Sequence, residues 1–151
     1  MKRSASAHWT GDLKTGKGKI STESGALKDN PYGFNTRFED QPGTSPEELI
    51  GAAHAGCFSM ALSMILKQYE LTAKQIDTKA DVKLEEVDGD FAITAVHLTL
   101  KAKIPGTTKE QFEQVAGVVI QFRACLPAVP GMLAVRFPPP SRGCVRRTVP
   151  S

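Results

Sequence analysis

The chain has 151 residues, of which 40% are hydrophobic and 23% charged, with a formal net charge of +3. That length builds one domain that buries about two-thirds of its unfolded surface, and so small a charge argues against a nucleic-acid or membrane partner. The opening MKRSASAHWTGD has basic residues but no apolar run after them, so it does not read as a secretory signal. Cys57, Cys125 and Cys144 are odd in number, which argues against a disulfide framework and for a reducing, cytoplasmic setting. No CxxC and no zinc-type Cys/His spacing occurs, and the scattered His8, His54 and His97 read as structural.

The N-terminal third reads as strands joined by turns. SAHWTG, KGKISTES and YGFNTRFE are short, partly alternating, and bounded by Gly, Asp-Asn and Pro. GTSPEELIGAAHAGCF then opens a helix, with Ser45 as N-cap, Pro46 at the first helical position and Glu48 completing an S-x-x-E capping box. The helix is expected from Pro46 to about Tyr69. Leu49, Ala53, Cys57, Met60 and Met64 make one apolar stripe, and Ile50, Ala61 and Ile65 widen it, which places the helix at the centre of the fold. Leu49 to Leu66 barely reaches the roughly 18–20 residues of a membrane span. Its small residues and His54 favour a helix buried in protein.

The clearest alternation follows. Ile76, Thr78, Ala80, Val82 and Leu84 interleave with Asp77, Lys79, Asp81, Lys83 and Glu85. After the Asp88-Gly89 turn signal, Val96, Leu98, Leu100, Ala102 and Ile104 interleave with His97, Thr99, Lys101 and Lys103. One sheet face is therefore buried and the other wet. A second helix after PGTTKEQF is expected to be capped by Thr107 and Glu110, with Phe112, Val115, Val119 and Phe122 as its stripe and Cys125 near its end. Two helices on an antiparallel sheet make an α+β fold.

Residues 126–151 depart from this pattern. They hold six of the ten prolines and four of the seven arginines, with no Lys, Asp or Glu, so the tail carries +4 and residues 1–125 carry −1. RFPPPSRGCVRRTVPS does not suit a central strand, because proline removes ladder donors. It reads as a disordered basic tail or as an out-of-frame end, and Cys144 within it as a free thiol.

Cys57 poses the functional question. A buried cysteine is ordinarily a small hydrophobe, whereas a reactive one must become a thiolate with positive charge nearby. Arg37 is the only arginine between Arg3 and Arg123, and a planar fork suits binding a carboxylate on one edge while its charge acts elsewhere. A solvated strand arginine is the equal alternative. Glu47 and Cys57, ten residues apart on one helix, are separated by roughly 15 Å along the axis. They share a site only if a loop cation or a second chain bridges them.

GTSPEELIGAAHAGCFSMAL, with STESGAL, PYGFNTRFE and DGDFAIT, closely resembles the OsmC branch of the OsmC/Ohr family of organic hydroperoxide reductases, over about Ala7 to Cys125. The resemblance implies a domain over 1–125 with antiparallel sheets packed on two central helices, in an intertwined homodimer with active sites at the subunit interface. It implies that Cys57 is the peroxidatic cysteine in an apolar pocket and Cys125 the resolving cysteine. Arg37 then stabilises the thiolate and Glu47 holds Arg37. It further implies organic hydroperoxide substrates, no metal, haem or flavin, and an external dithiol, typically a lipoyl group or lipoylated protein, as reductant. His54, one turn before Cys57, reads as structural or as tuning the pocket. The family pattern fades at FRACLPAV, where a Gly-Cys-Pro-like segment and a final strand are the rule. Two other classes stand beside the enzyme: a non-catalytic binder of apolar ligands, and a redox sensor whose basic tail touches an anionic partner.

Overall fold

The computed structural model describes residues 2–39, 41–121 and 145–147. The chain divides into two compact units, Met1–Leu49 and Ile50–Ser151. In the first, β1 (Ala5–Thr10), β2 (Lys17–Thr22) and β3 (Asn30–Tyr32) form an antiparallel sheet in that order. Asp12 organises the β1–β2 connection. Its Oδ1 accepts from the Lys14 and Thr15 amides at 2.9 and 3.0 Å, and Oδ2 from the Thr15 hydroxyl. The hydroxyl of Thr15, followed by these amides, holds the Asp12 carboxyl below its ordinary range.

YGFNTRFE departs from the expected strand. Only Tyr32 belongs to β3, and Phe34–Phe38 form a short helix, α1. The local reason is Thr36, whose Oγ1 accepts from the Gly33 amide and faces the carbonyls of Gly33 and Thr44, each at 3.0 Å. This side-chain bonding offers the backbone a turn in place of a ladder. Gly43, at φ 155°, lets the returning loop pass Thr36; a Cβ there would stand 2.5 Å from Thr36 Cγ2.

Helix α2 (Pro46–Gln68) begins as the sequence predicts: the Glu48 amide donates to Ser45 Oγ at 3.2 Å and the Leu49 amide to the Ser45 carbonyl at 3.3 Å. It ends at Glu70, φ 56°, with the Leu71 amide bonded to the Leu66 carbonyl and the Glu70 amide to that of Lys67. That is a Schellman closure, with Leu71 packing back on the core.

In the second unit β4 (Gln75–Val87) and β5 (Asp90–Lys103) form a long antiparallel hairpin. Asp88 at φ 54° and Gly89 at φ 89° make the turn that their sequence announces. The expected alternation holds, with Val96, Leu98 and Leu100 buried. A bulge interrupts it where Lys83 pairs with Ala95 but Leu84 with Ile93, leaving Thr94 extra. Helix α3 spans Lys109–Gln121. Its cap is one residue later than expected: Thr108 and Gln111 exchange amide-to-side-chain bonds at 3.1 and 3.3 Å, in place of Thr107 and Glu110.

Leu62, Ile65 and Leu66 of α2 meet Leu100 of β5 and Phe112, Val115 and Ala116 of α3 in one core. α2 is long and apolar enough to cross a membrane, yet this face is committed to protein. The expected stripe is not the buried one: Met60 is 75% and Met64 51% exposed, while Leu62 is fully buried. Apolar residues surround α2, so their spacing does not choose a face.

Val145–Arg147 pair antiparallel with Leu100–Ala102 as an edge strand, β6, the position proline-rich chain tolerates. The remaining expectations for 126–151, with Val119 and Phe122 as stripe residues, fall outside the described side chains.

Candidate active site

The first unit holds an ion pair built by the α1 turn. Arg37, in the last turn of α1, donates from Nε at 2.9 Å and from Nη2 at 2.7 Å to Oε1 of Glu47. Glu47 occupies the first turn of α2, where a carboxylate also meets the positive end of the helix dipole. Its side chain is 12% exposed against 36% for Arg37. The carboxylate is therefore the desolvated partner, and the guanidinium keeps its Nη1 side without a hydrogen-bond partner among the described residues. Arg37 Cζ also stands 5.1 Å from the Phe38 ring centroid, and the Phe34 and Phe38 rings lie 4.8 Å apart. An aromatic face beside a guanidinium adds cation–π attraction. This contact was not read from the sequence, although the adjacency of Arg37 and Phe38 is its signal.

The second unit holds Cys57. Cys57 lies mid-way along α2, partly buried, and its sulfur is disulfide-bonded. Cys125 and Cys144 both fall outside the described residues. Around Cys57 the helix is pinned to β4: Ser59 Oγ donates to the Ala55 carbonyl at 2.9 Å and shares a 2.7 Å hydrogen bond with Thr78 Oγ1. His54, one turn earlier, has both ring nitrogens sealed from solvent, with no hydrogen-bond partner among the described residues. Burial holds its pKa below the ordinary 6.5, which keeps the ring neutral at pH 7.

Of the other histidines, His8 Nε2 bonds Thr10 Oγ1 at 3.0 Å, and His97 stands opposite Asp81 in the β4–β5 register. Among the described residues no group of three or more His, Cys, Asp or Glu is placed to hold a metal. Chemically, the chain offers a disulfide-bonded sulfur and an arginine oriented by a carboxylate.

Comparison with known proteins places these features in context. The family model described as OsmC-like protein matches residues 38–121. The chain is 54% identical to Peroxiredoxin OsmC of Escherichia coli (strain K12) over 121 residues, 80% of this chain and 82% of that protein. It is 27% identical to the organic hydroperoxide resistance protein OhrB of Bacillus subtilis over 121 residues, 80% of this chain and 87% of that one. Among solved structures, an OsmC-like protein of unknown function from Vibrio cholerae matches with a TM-score of 0.64 at 16% identity, covering 88% of this chain and 97% of that one. The crystal structure of B. subtilis OhrB matches with a TM-score of 0.58 at 24% identity, covering 79% and 84%. At these identities the structural likeness speaks for the α+β fold alone.

Proposed function

The chain belongs to the OsmC-like protein family, and from that membership we propose that it is a cysteine-based peroxidase that reduces organic hydroperoxides in stress defence. The observation that carries this reading is the 54% identity to a protein named as a peroxiredoxin over four-fifths of the chain.

In the proposed cycle the Cys57 thiolate attacks the peroxide, the O–O bond breaks, and sulfur is oxidised to a sulfenic acid while the alkoxide leaves and takes up a proton as the alcohol. The Cys125 thiol then condenses with the sulfenic acid, releasing water and forming a disulfide. An external dithiol, with a lipoyl group as the chemical type, returns both sulfurs to thiols by exchange. The disulfide at Cys57 supports a sulfur that undergoes this chemistry. Arg37 is the proposed cation that favours the thiolate, and its ion pair with Glu47 supports a guanidinium held in one orientation. The cycle needs no metal, haem or flavin.

A homodimer is part of the proposal. Ala52, Ala53, Gly56, Met60 and Met64 leave one side of α2 apolar and exposed in the single chain, and a second copy of that helix is the partner the family implies. The cytoplasm, which keeps thiols reduced, is the proposed compartment.

The test is to treat reduced protein with one equivalent of cumene hydroperoxide and map disulfides by mass spectrometry. A Cys57–Cys125 bridge, with turnover lost in Cys57→Ser, is the expected result. A Cys57 that stays a free thiol overturns the enzyme reading in favour of a binder of apolar ligands.

A further inference from the structure

We propose that His54 is a catalytic residue of the thiol step: one of its ring N–H groups donates a hydrogen bond to the Cys57 sulfur when that sulfur is a thiolate, and loses this partner when Cys57 enters a disulfide. This rests on the proposed role of Cys57 and adds to it a residue and a redox-dependent contact.

Two observations carry the inference. First, a neutral imidazole has one N–H donor and one lone-pair acceptor, and in His54 both nitrogens are buried without a partner among the described residues. Buried polar groups in native proteins are nearly always bonded, so this orphan needs an explanation. Second, the orphan occurs in a structure whose Cys57 is disulfide-bonded. A disulfide sulfur carries no charge, whereas a thiolate is a strong acceptor for an N–H donor. The state observed is the one in which the proposed partner is chemically switched off.

The helix brings the two groups together. Residues three apart on a helix are surface neighbours, with Cβ atoms about 5–6 Å apart. Helical side chains also lean toward the N-terminus, so the Cys57 sulfur leans toward the turn that carries His54. Along this stretch of α2, Gly51 lies against Ala80 and Val82 of β4, and Ser59 takes Thr78. The charged residues of β4, namely Asp77, Lys79, Asp81 and Lys83, alternate onto the exposed sheet face. From α3, Phe112, Val115 and Ala116 enter the core, while Glu110 and Glu113 have partners of their own. In the disulfide form burial holds the His54 pKa below its ordinary value; whichever ring nitrogen carries a proton is the donor to the thiolate, and Arg37 remains the proposed source of positive charge.

The contact exists only in the reduced form and so stabilises it. His54 thereby lowers the thiol pKa and makes the disulfide easier to reduce, which speeds both halves of the cycle.

The test follows the Cys57 peptide by mass spectrometry during iodoacetamide alkylation at a series of pH values, in the full-length wild-type, His54→Leu and His54→Asn proteins. Loss of the donor in His54→Leu is expected to raise the Cys57 pKa by about one unit and to slow peroxide consumption at pH 6 by about tenfold. The retained amide donor of His54→Asn should restore part of both. In the wild-type protein, which raises no question of folding, the His54 ring nitrogen NMR shifts should change when the disulfide is reduced. An unchanged Cys57 pKa in His54→Leu, a rise that His54→Asn leaves fully in place, or ring shifts indifferent to reduction would overturn the inference. Failure of the peroxidase reading is distinguishable, because there the wild-type protein itself leaves cumene hydroperoxide unconsumed.

Discussion

Arg37 binds Glu47 through two nitrogens on a single carboxylate oxygen: Nε and Nη2 both reach Oε1, at 2.9 and 2.7 Å. The edge of the guanidinium is thereby fixed, while its Nη1 has no hydrogen-bond partner among the described residues. Lysine has no fork with which to reproduce this. Arg37→Lys should therefore keep most of the stability yet lose orientation of the charge. If Arg37 serves Cys57 as proposed, the thiol pKa should rise by about one to three units, and peroxide consumption at neutral pH should fall at least tenfold. Arg37→Ala should in addition destabilise the chain by about 1–2 kcal/mol, since Glu47 is left buried while the arginine it loses is one-third exposed. Stopped-flow peroxide kinetics with urea unfolding separates the two effects.

The two faces of α2 should answer differently to substitution. Leu62→Ala opens a cavity in the core and should cost about 2–5 kcal/mol. Met60→Ser, at a position 75% exposed in the single chain, should change the stability of the isolated chain by no more than about 0.5 kcal/mol. Its effect should appear in sedimentation, as a dimer that dissociates at higher protein concentration than wild type. A Met60→Ser protein whose dimer is as tight as wild type would remove this face from the proposed interface.

Glu70 closes α2 in the left-handed region at φ 56°, where glycine is the unstrained residue. Glu70→Gly should stabilise the protein by about 0.5–1 kcal/mol. Gly89→Ala, at φ 89° in the hairpin turn, should do the opposite, costing about 1–2 kcal/mol. Thermal melts of the two variants should move in opposite directions.

The bulge at Thr94 carries an electrostatic consequence. Glu85 is held below its ordinary pKa of 4.5 by the Lys83 ammonium, 2.7 Å from Oε1, and then by the Thr94 hydroxyl on Oε2. A carboxyl lowered in the folded state contributes stability above its unfolded pKa and loses it as pH falls through the folded value. The contribution thus disappears only on the acid side of pH 4.5. Thr94→Val should move the Glu85 titration midpoint, followed by NMR, upward toward 4.5.

The sequence made some of this legible and hid the rest for physical reasons. The β4–β5 hairpin was readable because period-2 alternation and Asp88-Gly89 are local signals that a half-buried sheet face obeys. The start of α2 was readable because Ser45 and Pro46 act on their own neighbours. The buried face of α2 was hidden: apolar residues ring the helix, and Leu62 prevails over Met60 only through its partners Leu100, Phe112 and Val115, which are remote in sequence. α1 was hidden because Thr36 takes carbonyl partners at both Gly33 and Thr44. At the candidate site, Cys57, Arg37 and Glu47 stood out through motif resemblance, and their roles await the variants above. The orphaned nitrogens of His54 have no signal in a sequence, because burial of single atoms is a property of packing alone.

The protein contains one tryptophan, Trp9. In β1 its indole N–H bonds the Gly11 carbonyl at 3.0 Å and its ring stands 5.5 Å from that of Tyr32, both within the first unit. Tryptophan fluorescence is therefore an optical probe of the β1–β2–β3 sheet. Far-ultraviolet dichroism, dominated by α2 and α3, watches the other unit. Coincident melting curves from the two signals would mean that the two units unfold as one cooperative body, and separated curves would give each unit its own transition.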